Sequence, residues 1–205
     1  MSRRNTTRKR PEAAEQAFVR IIGGDWRSRR IPFAAIEGLR PTPDRVRETL
    51  FNWLQGVTEG ARCVDLCAGS GALGLEALSR GAGSLTFVDQ SSLVARTLRE
   101  NLQKLKVQNA EVVNASALDW LSALPADESE RFDLVFMDPP FRKGLVAPLC
   151  ALLESHNLLS ERAMVYVESE KEIGAPDVPE SWSLYREKHA GQVSYRLYEC
   201  SSDHG

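Results

Sequence analysis

Three short stretches of the chain hold residues whose types and spacing could do chemistry. In "FDLVFMDPPF", Phe132 to Phe141, an apolar run ends in an aspartate, two prolines and a phenylalanine. Pro139 and Pro140 have fixed φ and lack N–H groups, so Asp138 is held extended at a stiff corner. An ionised carboxylate only accepts hydrogen bonds, and a carbonyl ahead of a proline is a second fixed acceptor. The stretch therefore offers rigid acceptors beside the ring of Phe141. The plainer reading is a stiff turn that carries a surface acid.

The second stretch, "DLCAGSGALG", runs from Asp65 to Gly74. Gly69, Gly71 and Gly74 match G-x-G-x-x-G, and a strand before and a helix after give it the context of a nucleoside-binding turn. Gly69 and Gly71 let the backbone turn sharply and come close to a ligand, while Gly74 lets the helix pack on a sheet. Asp89, at the end of the next strand, could take both hydroxyls of a ribose. Two nucleosides fit this much. NAD brings a pyrophosphate to the helix N-terminus, whereas S-adenosylmethionine brings an ammonium that wants a carboxylate, and Asp65 is placed for one.

The third is a run of cations. Residues 1–47 carry 12 of the 26 basic residues against 5 acids, a charge of +7, and the remainder is −9, which gives the net −2. A basic head on an acidic body suggests that a polyanion is met at one end.

The elements that must position these residues follow from patterning. "MSRRNTTRKRPEAAEQ" is polar, lacks apolar periodicity and reads as a disordered basic tail, residues 1–16. Residues 17–56 read as a basic β-hairpin, Phe18 to Phe33 around Gly23, Gly24 and Asp25, followed by a helix. That helix has Thr42 as its expected N-cap, Pro43 at its first position, and Val46, Leu50, Trp53 and Leu54 on one face. From residue 57 to 205 strands alternate with helices: "RCVDLCA", "ALGLEALSRG", "SLTFVD", "SSLVARTLRENLQKLK", "AEVVNA", "LDWLSAL", "FDLVFMD", "GLVAPLCALLES" and "AMVYVESE". Such βαβ units predict a parallel sheet covered on both faces. "WSLYREK" and "VSYRLYE", joined across "HAGQ", predict a closing antiparallel hairpin.

Composition narrows the function classes. With 42% hydrophobic and 26% charged residues the chain reads as globular, and it has neither an apolar run of membrane-spanning length nor a signal-peptide pattern, so a cytoplasmic protein is expected. Cys63, Cys67, Cys150 and Cys200 are scattered and read as reduced thiols. His156, His189 and His204 neighbour no nucleophile or further ligand, so neither a catalytic triad nor a metal site is expected.

"DLCAGSGALGLEALSRGA" resembles motif I of Rossmann-like, class I methyltransferases, and "DPPF" resembles the (N/D)-P-P-(F/Y/W) motif of enzymes that methylate exocyclic amino groups of bases. With "RIIGGDWRSRR", "GLRPTPDRVRETLFNWL", "VFMDPPF", "VYVESE" and "GQVSYRLY", the chain from about Phe18 to Glu199 resembles the RsmD family, which methylates N2 of one guanine, nominally guanine 966, of 16S ribosomal RNA. The implied fold is a seven-stranded, mostly parallel sheet with helices on both faces, a C-terminal antiparallel hairpin and a small N-terminal hairpin and helix extension.

The implied cofactor is S-adenosylmethionine, held by Asp65, Cys67, Ala68, Gly69, Gly71, Asp89, Gln90, Ser116, Ala117 and Asp138. Asp65, Gly69 and Gly71 would surround its methionine part, Asp89 would meet its ribose, and Ser116 and Ala117 would flank its adenine. Asp138 and Pro139 would hold the target amino group and Phe141 would stack on the base. Asp89 stands where glutamate is expected and Cys67 where phenylalanine is commoner. Arg20, Arg27, Arg29, Arg30, Arg40 and Arg45 are candidate phosphate contacts, with Arg142 and Lys143 beside the target. The partner implied is 16S ribosomal RNA in the 30S subunit, acted on by a monomer without metal.

Guanine is a choice that rests on the resemblance. The same chemistry would serve an N6-adenine methyltransferase acting on DNA or RNA. An NAD-dependent oxidoreductase would leave "DPPF" unexplained, and a catalytically silent RNA-binding protein would not need Asp138.

Overall fold

The computed structural model describes residues 17–125 and 131–201. The tail read over residues 1–16 lies outside them. The basic segment forms a two-stranded antiparallel ribbon, β1 (Phe18–Arg20) and β2 (Arg30–Pro32), with Val19 opposite Ile31. Helix α1 (Asp44–Trp53) follows. Then come β3 (Arg62–Asp65), α2 (Ala72–Ser79), β4 (Ser84–Val88), α3 (Ser92–Leu105), β5 (Ala110–Val113), α4 (Ala117–Ala123), β6 (Phe132–Met137), α5 (Val146–Ser155) and β7 (Leu159–Glu170). Strands β8 (Trp182–Ala190) and β9 (Val193–Cys200) close the chain.

The main sheet has seven strands in the order β5-β4-β3-β6-β7-β9-β8. Five run parallel, and β9 enters antiparallel to β7 with β8 at its outer side. The expected Rossmann-like layout is therefore present, with β3 central and a switch in chain order between β4 and β6, where open α/β sheets place ligands. The closing turn is tighter than expected: β8 runs on through His189 and Ala190, and Gly191 at φ +61° reverses the chain with Gln192 alone beside it.

Alternation along the strands sends residues to two cores. Cys63, Phe87, Phe136 and Tyr166 face α1, α2, α3 and the ribbon, whereas Val64, Val88, Val135 and Val167 face α4 and α5. Gly74 is required by packing, since a Cβ there would lie 2.4 Å from Cε1 of Phe87.

The N-terminal extension is fastened to α2 by one carboxylate. Glu76 is fully buried and accepts from the amides of Ile22 (2.9 Å) and Gly23 (2.8 Å), from Arg47 (3.2 Å) and from Arg80 (2.8 Å). Arg47, itself 1% exposed, also donates to the Arg20 carbonyl, the Thr42 carbonyl and Asp44. A buried arginine is tolerable only with such a full set of acceptors. The ribbon turn is pinned next to it: the Asp25 amide donates to the Ser79 carbonyl and the Trp26 amide to Ser79 Oγ.

Candidate active site

The carboxyl ends of the parallel strands carry the singled-out residues in a row. Asp65 ends β3, Asp89 follows β4, Ser116 and Ala117 follow β5, and Asp138 follows β6. Neighbouring parallel strands share a direction, so four sequence-distant segments meet at one edge.

Gly69 and Gly71 take left-handed φ of +51° and +75°, which glycine adopts at little cost. Leu39, from the loop before α1, packs so closely over the turn that its Cδ1 lies 2.9 Å from where a Gly69 Cβ would be. The Ala68 amide donates to the Val88 carbonyl, which ties the turn to β4. Asp89 Oδ2 accepts from the Gly69 amide (2.9 Å) and Oδ1 from the Ser91 amide (2.8 Å). The expected ribose acceptor thus also braces the glycine turn and the start of α3, and Gln90 beside it is exposed. Asn114 Nδ2 donates to the Asp89 carbonyl, and Ser116 caps α4 by accepting from the Asp119 amide, with Ala117 as the first helical residue.

Asp65 is 1% exposed and accepts from the Gly74 amide (3.2 Å), while the Cys67 amide also favours its charged form. Burial pushes its carboxyl up to about 7, the Asp138 and Asp89 charges push the same way, and the amides oppose them. Asp138, half-buried, is raised by burial to about 6, with the Thr42 hydroxyl opposing the shift. Cys67 is half-buried, and burial followed by the charges of Asp65, Asp138 and Asp89 drives its thiol up to about 12. Pro139 is buried, Pro140 is exposed, and Phe141 presents its ring at 44% exposure.

Three participants were not among the expected site residues. Glu168, buried on β7, is raised to about 8 by burial and then by the Asp138 charge. Tyr166 O–H donates to Glu168 Oε1 at 2.8 Å. Thr42 is buried, and its hydroxyl favours the charged form of both the Asp138 and the Glu168 carboxyl. This corrects the expectation of Thr42 as a helix N-cap. Pro43 takes the cap position with φ −56° and ψ 146°, and no side chain caps α1. Glu168 had a signal in "VYVESE", an acid at the end of a buried strand. Thr42 had none apart from the capping pattern that it resembled.

The candidate phosphate contacts are all exposed. Arg27, Arg29, Arg30, Arg40 and Arg45 are exposed, with the Arg30 guanidinium 4.7 Å from the Phe18 ring centre. Arg20 pairs with Asp44 at 2.9 Å while both remain exposed. Arg142 and Lys143 are exposed next to Phe141. The Arg142 amide donates to Glu170, and its guanidinium lies 3.8 Å from Glu172. The site as a whole can accept N–H groups at Asp138, present an aromatic face at Phe141, and meet positive charge with its buried acids.

A family model described as "Conserved hypothetical protein 95" matches residues 19–199. Ribosomal RNA small subunit methyltransferase D of Escherichia coli strain K12 is 51% identical over 191 residues, covering 93% of this chain and 94% of that protein. Its namesake in Haemophilus influenzae is 49% identical over 184 residues, covering 88% and 93%. The solved structure of yhhF from Escherichia coli superposes with a TM-score of 0.84 at 49% identity, covering 91% of this chain and 100% of that one.

Proposed function

The chain belongs to the RsmD family, and from that premise we propose that it transfers a methyl group from S-adenosylmethionine to the exocyclic N2 amino group of one guanine, nominally guanine 966, of 16S ribosomal RNA in the small subunit. The observation that carries this reading is the gathering of three acids with little or no contact with solvent, Asp65, Asp138 and Glu168, at the carboxyl ends of neighbouring strands beside a glycine turn. Burial and mutual repulsion raise them, and a positively charged ligand relieves both. S-adenosylmethionine carries an ammonium and a sulfonium. NAD would bring a pyrophosphate toward α2, where the Asp65 carboxylate already accepts from the Gly74 amide. Two anions on one helix N-terminus would repel, so the oxidoreductase reading is disfavoured.

The guanine amino nitrogen is a poor nucleophile because its lone pair is delocalised into the ring. Asp138 Oδ and the Pro139 carbonyl each take one of its N–H groups, which lets the nitrogen pyramidalise and aim its lone pair. S-adenosylmethionine, when bound, supplies the activated methyl, which the nitrogen takes with its lone pair as the carbon–sulfur electron pair leaves to sulfur. The methylated nitrogen is then acidic, and its extra proton goes to Asp138 or to water. Phe141 stacks on the base, a contact worth about 1 to 3 kcal/mol. Asp65, Cys67, Ala68, Gly69, Gly71, Asp89, Gln90, Ser116 and Ala117 line the cofactor side.

Arg20, Arg27, Arg29, Arg30, Arg40 and Arg45, with Arg142 and Lys143, meet phosphates, which position the RNA without reading its sequence. The same proposal has the N-terminal segment 17–56 as the RNA-contacting part, 57–205 as the methyltransferase part, and a cytoplasmic monomer acting on the 30S particle. The test is incubation with labelled S-adenosylmethionine and unmethylated 30S particles, followed by RNA digestion and mass spectrometry of the nucleosides. N2-methylguanosine is expected, and Asp138→Ala should abolish it while RNA binding persists. N6-methyladenosine, or no label, would overturn the reading.

A further inference from the structure

Strand β7 outruns its neighbour β6. Met137, the last residue of β6, pairs with Val167, and β7 continues for three residues to Glu170, which stands in register with Val193 of β9. The next amide, that of Lys171, donates to the Gln192 carbonyl at 2.8 Å, so the sheet holds the backbone around Glu170. The half-buried Glu170 side chain reaches the connection between β6 and α5, where it accepts from the Arg142 amide.

That connection carries Phe141. Every residue from Pro140 to Gly144 is exposed, so burial does not fix the segment. Arg142 takes a left-handed φ of +61°, which costs a residue with a Cβ energy and persists where the surroundings impose it. The Arg142 nitrogen lies in the same peptide plane as the Cα of Phe141. A hydrogen bond from that N–H therefore fixes the plane from which the Phe141 side chain departs, and a carboxylate acceptor makes it a strong one. Charge pairing with Arg142 is left to Glu172, 3.8 Å from the guanidinium. An anion beside Arg142 and Lys143 weakens the attraction of that surface for phosphate, so RNA affinity gives no reason for an acid at position 170.

We propose that Glu170 is a positioning residue for the methyl transfer: by accepting the Arg142 amide it fixes the Phe141–Arg142 peptide plane and holds the exposed Phe141 ring ready to stack on the target base. The role rests on the reading of Phe141 as the stacking face. Strand β7 thus serves as a rigid post for a loop that its own packing leaves free, and the post is the last acid of "VYVESE". Without it the ring swings with the loop, and the base loses the orientation that aims its amino group at the methyl.

The experiment measures kcat and KM on unmethylated 30S particles, with the product nucleoside identified and the melting temperature of each variant recorded. Glu170→Ala should lower kcat roughly tenfold while KM for the particle rises less than about twofold. Glu170→Gln, whose Oε1 still accepts, should recover most of that loss, whereas Glu170→Asp, charged but one methylene short of the amide, should stay as slow as Glu170→Ala. In a Phe141→Ala background Glu170→Ala should cost no further kcat, because no ring is left to place. A loss that adds in full to that of Phe141→Ala overturns the proposal, as does Glu170→Gln no faster than Glu170→Ala. Removal of the acid that lowers KM and leaves kcat alone also overturns it, since a mere surface charge acts that way. Should Glu170→Ala melt early, the comparison of Glu170→Gln with Glu170→Asp decides. A wild-type protein that makes no N2-methylguanosine, or a Phe141→Ala protein with wild-type rate, sinks the underlying reading instead, so the failures are distinguishable.

Discussion

Binding of S-adenosylmethionine should strengthen about tenfold between pH 6 and pH 8. The perturbation is titration of Asp65, whose carboxyl is raised from 3.8 to about 7 because burial removes its water and the Asp138 and Asp89 charges add to that cost. With a pKa of about 7, roughly one carboxyl in eleven is ionised at pH 6 and roughly ten in eleven at pH 8. A ligand ammonium that needs the ionised form therefore meets about ten times more competent sites, a difference of about 1.4 kcal/mol. Asp138, raised to about 6, acts in the same direction. The assay is calorimetric titration at pH 6, 7 and 8 in buffers of different ionisation heat, which counts the protons released. Release should approach one proton or more per ligand at the acid end and shrink at pH 8. Asp65→Asn should bind weakly, with a much flatter profile. Affinity that stays flat across this range, with no proton release, would refute the assignment of Asp65 to a cationic ligand.

Stability of the free protein should run the other way. The folded-state pKa of Asp65 lies above its value in the unfolded chain, so its contribution is complete below about pH 4 and is lost as pH rises to about 7. Urea denaturation should show a shallower fall between pH 5 and pH 7 for Asp65→Asn than for wild type. Gly74→Ala should cost about 1 to 3 kcal/mol in the same measurement, since its methyl would overlap Phe87, and should weaken cofactor binding by displacing α2. Glu76→Ala should cost about 3 to 5 kcal/mol, because it leaves the Arg47 charge buried without its inner partner; a loss under about 1 kcal/mol would contradict that account. Arg29→Ala with Arg30→Ala should weaken 16S RNA binding and reduce the slope of log affinity against log salt by about one for each phosphate that is no longer neutralised. An unchanged slope would place the RNA elsewhere.

The parallel sheet was legible because its signals are short range. Each apolar run is followed by a turn, and each helix has its own period, so β3 to β7 and the glycine turn fall where patterning puts them. Gly81 at φ +91° ends the α2 segment as a C-terminal glycine should. The site was half legible. Asp65, Asp89 and Asp138 follow strands, and strand ends are local facts. Thr42 was not legible as a buried neighbour of the site because a threonine before a proline and an acidic helix start looks like a cap, and its burial depends on segments remote in sequence. Arg47 misleads in the same way. It sits in a basic segment, yet it is fully buried, since the acid that receives it lies on another helix. The ribbon's own arginines, Arg20, Arg27, Arg29 and Arg30, stay exposed.

Glu76 also sets how far this protein can be taken apart. The single carboxylate that gathers Ile22, Gly23, Arg47 and Arg80 lies in the helix that begins with the glycine turn. A chain cut at residue 57 would strand that charge in an apolar interior, and a transplanted ribbon would arrive with its loop amides unpartnered. The extension and the sheet should accordingly melt as one cooperative unit, and substitutions in either half are tolerated only as the other allows. The surface proposed to meet RNA and the turn proposed to meet the cofactor are thereby inherited together.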